Sequence, residues 1–141
     1  MKLRSTLCVG LALCLSGTAL AQIRRDGRWE VKVETDMPGM PAGMPTATTT
    51  IQCITPLDAT DPQKTMPPGS RGTAGDCKVS GYKTVGHTVS WSLTCEGAEP
   101  MTGTAELVYD DDAFTGAMKM DRGGQSMAMK YTGKRLGDCI Q

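Results

Sequence analysis

The sequence predicts an all-β domain, an antiparallel meander of about seven to eight strands curled into a small barrel or half-barrel and stapled by disulfides. Three observations predict it. Apolar and polar residues alternate with a period of two through most of the chain after residue 22, which marks half-buried strands. Short turn signals recur between the alternating runs. Four cysteines, Cys53, Cys77, Cys95 and Cys139, are scattered through the same region, and an even set in an exported chain reads as two disulfides.

The start of the chain reads as an export signal over 1–21. Lys2 and Arg4 give a positive start, an apolar run follows over 7–15, and Ala19-Leu20-Ala21 is a small-x-small cleavage site. The run is too short to span a bilayer, and no later stretch is long enough, so no transmembrane segment is expected. Leu11-Ala12-Leu13-Cys14 resembles a lipid-attachment box, but Leu13 is bulky where such boxes need a small residue. Cleavage leaves 22–141, a single domain of 120 residues with 13 basic and 15 acidic groups, a formal charge of −2. A mildly acidic surface excludes nucleic acid as the natural partner.

The strands follow in order. Trp29, Val31 and Val33 alternate with Arg28, Glu30, Lys32 and Glu34, giving a strand with a charged outer face. Ala47 to Cys53 is Thr-rich. Cys77 to Thr84 carries Val79 and Tyr82, and Gly86-His87 turns it into a strand with Val89, Trp91, Leu93 and Cys95 on one face. After Pro100 come a strand near Thr102 to Tyr109, an Asp110-Asp111-Asp112 turn and two further strands.

Two segments break the rhythm and are expected to be mobile loops. Over 37–45 the chain reads Met-Pro-Gly-Met-Pro-Ala-Gly-Met-Pro, and its three prolines forbid a central strand or helix. The connection over 55–76 holds four prolines and opens with Thr55-Pro56-Leu57-Asp58, a helix entry good for one turn.

The last hairpin carries the most information. Gly123-Gly124 is a two-residue turn that sets Arg122 opposite Gln125, Met120 opposite Met127 and Met118 opposite Met129. All four methionines then project from one face beside Phe114, Gly116 and Tyr131, and a slip of one residue would invert that face. Ala105, Leu107 and Tyr109 extend it through the Asp turn. The apolar face must be covered by curling or by a second layer. If the last strand closes on the first and 55–76 runs the height of the barrel, Cys53 and Cys139 share one rim and Cys77 and Cys95 the other. That favours pairs 53–139 and 77–95, with the other two connectivities open.

Gly27-Arg28-Trp29-Glu30 and the late Lys134-Arg135 resemble the Gly-x-Trp and late Arg of lipocalin-like barrels. A fuller resemblance runs through Gly27-x-Trp29-Glu30-Val31, Met-Pro-Gly-Met-Pro from Met37, Gln52-Cys53-Ile54-Thr55-Pro56 and Asp76-Cys77-Lys78-Val79. It continues through Val89-Ser90-Trp91, Thr94-Cys95, Met101-Thr102-Gly103-Thr104 and the run from Tyr131 to Cys139. These elements resemble the DUF3617 family. That resemblance implies a small exported protein of the Gram-negative periplasm, and it carries over no catalytic residue.

The chemistry points to binding. Trp29, Trp91, Phe114, Met118, Met120, Met127, Met129 and Tyr131 would form an adaptable wall for a small apolar ligand, although the same pattern describes a filled core. Thioethers are soft ligands, so Met118, Met120, Met127 and Met129 are also an alternative Cu(I) set. A third reading makes the Met/Pro loop a contact surface for an envelope protein. Enzymatic chemistry is not expected. His87, the single His, falls in a tight turn, no Ser or free Cys has a His partner, and the Asp turn lacks the ligand spacing of an EF-hand loop.

Overall fold

The computed structural model describes residues 24–39, 41, 46–61, 63–68 and 77–140. The expected export signal at 1–21 with its Cys14 box, the Met/Pro positions 40 and 42–45, and the part of the long connection over 69–76 lie outside the described residues.

Seven strands follow one another: β1 (Gly27–Asp36), β2 (Ala47–Ile54), β3 (Cys77–Val85), β4 (Thr88–Cys95), β5 (Met101–Asp110), β6 (Ala113–Arg122) and β7 (Gln125–Gly137). They form a single antiparallel sheet in the order β2-β1-β7-β6-β5-β4-β3. The meander from β3 to β7 therefore returns onto β1, while β2 and β3 are the two edges. The architecture is a half-barrel rather than a closed barrel. Successive antiparallel pairings leave β2 and β3 running the same way, so a tight hairpin cannot join them and the chain must travel the height of the sheet between them.

The tight turns set the register. Val85 pairs with Thr88 across Gly86-His87, Asp110 with Ala113 across Asp111-Asp112, and Arg122 with Gln125 across Gly123-Gly124. Gly123 and Gly124 have φ of 57° and 87°, the left-handed backbone that a two-residue hairpin turn demands. Met120 faces Met127 and Met118 faces Met129, as the alternation requires.

The long connection begins as expected with one short turn. The Thr55 hydroxyl accepts the Asp58 N–H at 3.1 Å and donates to the Asp58 carboxylate at 2.7 Å, opening a 3-10 turn over Asp58–Thr60. Within it Ala59 is buried, and beyond it so are Thr65, Met66 and Pro67, so this part of the connection packs onto the core.

Curvature of the inner face rests on large residues lying over small ones. Gly133 pairs with Phe114, and a Cβ at 133 would fall within the Phe114 ring. Gly116 pairs with both Leu107 and Tyr131, and a Cβ there would collide with the Leu107 side chain and the Glu106 carbonyl. Met118 and Met120 close over Gly103 in the same way, each 3.1 Å from where a Cβ would sit.

Cys77 and Cys95 are direct partners in the β3–β4 ladder and form a disulfide with Cα atoms 3.9 Å apart. Cys53 and Gly137 flank Arg28 of β1 on opposite sides, and Cys139, just past Gly137, reaches Cys53 with a Cα separation of 5.6 Å. The two bonds sit at opposite rims.

Two outcomes follow for stability. Gly133→Ala overpacks the Phe114 site and should cost about 1–3 kcal/mol in urea denaturation, while Thr132→Ala on the exposed face stays within about 0.5 kcal/mol. The Cys53–Cys139 bond closes a separation of 86 residues against 18 for Cys77–Cys95. Loop-closure entropy then predicts that replacing the first pair with serines costs roughly 1–1.5 kcal/mol more than replacing the second.

A candidate binding face inside the half-barrel

Alternation brings the residues singled out by sequence onto one face. Trp29 comes from β1, Trp91 from β4, Phe114, Met118 and Met120 from β6, and Met127, Met129 and Tyr131 from β7. Trp29, Trp91, Phe114, Met118, Met120 and Tyr131 are buried, whereas Met127 and Met129 are half-buried and pack against the others. Phe114 stacks at a tilt on Trp29 and Tyr109, with ring centroids 5.9 and 5.2 Å apart.

The two rims of this face differ. At the rim where β1 begins, the Arg24 guanidinium lies 4.6 Å from the Trp29 ring centroid and 4.9 Å from that of Phe114. Arg24 is only 1% exposed, and its Nη1 donates to the Thr65 carbonyl at 2.7 Å. Among the described residues its Nε and Nη2 have no hydrogen-bond partner. Burial pulls its pKa down to about 10, with the nearby Tyr109 opposing, so the side chain remains a cation at neutral pH. Among the described residues this cation is held by two ring faces and a carbonyl.

Arg24 is not singled out by the sequence, where the late arginine noted is Arg135. Arg135 is the cross-strand partner of Trp29, but its Nε donates to the Asp26 carbonyl at 2.7 Å and its Nη2 to Asp138 at 2.6 Å. The signal available was local. Trp29 Nε1 donates to the Arg25 carbonyl at 2.9 Å, which holds the preceding residues beside the indole and carries Arg24 over it.

At the opposite rim the apolar side chains are left partly open. Met101, Met127, Met129 and Val33 are half-buried there, and Met37, leaving β1 at the same end, is 40% exposed. The Tyr131 hydroxyl points at two sulfurs, 3.6 Å from Met129 Sδ and 3.9 Å from Met118 Sδ. Two of the four thioethers in the Cu(I) set are thus turned toward one hydroxyl. Among the described residues no group of three or more His, Cys, Asp or Glu converges to hold a metal. His87 is exposed in the β3–β4 turn, where its carbonyl accepts the Tyr109 N–H at 2.9 Å.

Two open depressions lie on the other side of the sheet, of about 360 and 450 Å³, sharing Ser92, Thr104 and Lys119 in their linings. They are polar shelves between strands, and nothing in the sequence periodicity distinguishes them from an ordinary solvated face.

Burial raises both Tyr109 and Tyr131 from the ordinary 10 to about 12. The fold favours the neutral phenols, so their contribution is whole below pH 10 and is lost as pH climbs to about 12. Arg24 acts oppositely, because its folded-state value lies below its unfolded one and stability is gained above pH 10. Two losses outweigh one gain, so unfolding free energy should fall between pH 10 and 12. In Tyr131→Phe, urea titrations at successive pH values should show a fall smaller by roughly 2 kcal/mol.

The family model described as a protein of unknown function, DUF3617, matches residues 24–139. No curated protein and no solved structure gives a significant match. The matched span runs from the buried Arg24 to the disulfide-bonded Cys139 and so takes in the whole sheet. The chain belongs to the DUF3617 family.

Proposed function

We propose that the protein is an exported, non-catalytic binding protein of the bacterial periplasm, and that it takes a small apolar ligand at the methionine-lined rim of the half-barrel. The observation that carries this reading is the difference between the rims. One end of the inner face is sealed by Arg24, Trp29 and Phe114, and the other leaves Met101, Met127 and Met129 half-buried. Thioethers in that position offer flexible apolar contact to a ligand of loosely defined shape. Export is supported by the leader-like residues 1–21 and by two disulfides, which persist in oxidising compartments. No helix among the described residues is long and apolar enough to cross a membrane.

The cross-strand pairs Met118–Met129 and Met120–Met127 favour Cu(I) as a second reading, since they gather four soft ligands on adjacent strands. Native mass spectrometry on protein taken from the cell envelope separates the two, with Cu(I) added to half the sample under exclusion of air. A copurifying organic mass supports the first reading. A stoichiometric copper adduct, lost when Met118, Met120, Met127 and Met129 are all changed to Leu, supports the second.

A titration with N-phenyl-1-naphthylamine tests the rim itself. Met127→Glu should weaken dye binding at least tenfold, about 1.4 kcal/mol, while Ile51→Glu on the outer face leaves it unchanged. Dye binding that ignores Met127→Glu would remove the rim as the site.

A further inference from the structure

We propose that Met129 is a built oxidation site, a thioether that a hypohalous acid oxidises to the sulfoxide and whose new oxygen is held against the Tyr131 hydroxyl while the sheet stays folded. Met129 and Met118 are cross-strand neighbours that differ in access. Met118 is 0% exposed, and Met129 is half-buried toward the open rim. Between them stands the Tyr131 hydroxyl, whose two contacts among the described residues are both to sulfur, a weak acceptor.

The spacing suits a sulfoxide. An S–O bond of about 1.5 Å and an O–H···O separation of about 2.7 Å, meeting at roughly 115–120°, place sulfur about 3.7 Å from the phenol oxygen. Tyr131 Oη lies 3.6 Å from Met129 Sδ. The new oxygen therefore enters between the two groups with neither displaced, and a weak O–H···S contact becomes a strong O–H···O bond.

The chemistry balances with hypochlorous acid as oxidant. Sulfur gives an electron pair to chlorine as the O–Cl bond breaks and hydroxide leaves; water then adds its oxygen to sulfur, displacing chloride and releasing two protons, one of which neutralises the hydroxide. Thioether and hypochlorous acid become sulfoxide, chloride and one proton, with sulfur oxidised by two electrons and chlorine reduced by two. Met118 shares the Tyr131 hydroxyl at a longer 3.9 Å, but it is fully buried and out of reach of the oxidant. At Met129 a donor is already waiting.

Limited hypochlorous acid treatment of the purified protein, followed by peptide mapping and thermal denaturation, tests the assignment. Met129 should gain one oxygen along with the exposed Met37, and Met118 should remain unmodified. The oxidised wild type should keep its Tm within about 2 °C, while oxidised Tyr131→Phe loses about 4 °C or more. The double variant Tyr131→Phe/Met129→Leu should escape that loss. Equal modification of Met118 and Met129, an equal Tm loss in wild type and Tyr131→Phe, or a loss that persists in the double variant would each overturn the proposal.

Discussion

The inner face of this sheet is possible because its bulky side chains lie over glycines. Phe114 occupies the space above Gly133, Leu107 crowds Gly116, and the Met118 and Met120 chains close over Gly103. A seven-stranded sheet with a single apolar face must bend around that face to cover it, and bending crowds the inward side chains of neighbouring strands. Removing the Cβ from alternate neighbours relieves the crowding and lets rings lie against backbone. The domain owns only one Phe and few branched aliphatics, so this placement matters more than hydrophobic content. Methionine suits the remaining gaps because its unbranched chain adapts to irregular space.

That curved face is finished differently at its two ends, and the difference sets up the functional reading. Where β1 begins, the chain supplies its own plug. Arg24 stacks on Trp29 and Phe114, and the Thr65 carbonyl of the long connection meets its guanidinium there. A buried cation loses solvation, and the two aromatic faces and the Thr65 carbonyl offset part of that loss. At the other end, half-buried thioethers border the opening, and one phenol hydroxyl serves two sulfurs. On the proposed reading an apolar guest and an oxidant would meet the same side chains there, and ligand affinity would depend on oxidation state at that rim.

Much of the fold was legible in the sequence because its determinants are local. The Gly123-Gly124 turn and the alternation on either side specify the β6–β7 register without reference to the rest of the chain, and the observed partners match residue for residue. The disulfide pairs followed from counting strand directions, and they held although the sheet does not close, because each pair needs only to share a rim. The covering of the face was far less legible. Arg24 carries no periodic signal, and the late Arg135, cross-strand partner of Trp29, ties the Asp26 carbonyl to Asp138.

The sequence by itself determined the strands, their turns, the face on which the methionines and aromatics gather, and the family. Alternation and two-residue turns act over a few residues, and they write those features directly into residue order. Only the tertiary structure decided which rim is sealed, that the sheet stops at a half-barrel, and which hydroxyl faces which sulfur. Those outcomes depend on contacts between distant segments, such as Arg24 with Thr65 across 41 residues and Tyr131 with Met118 across 13. A period of two says which side of the sheet a residue faces, and it is silent about what comes to rest on that side.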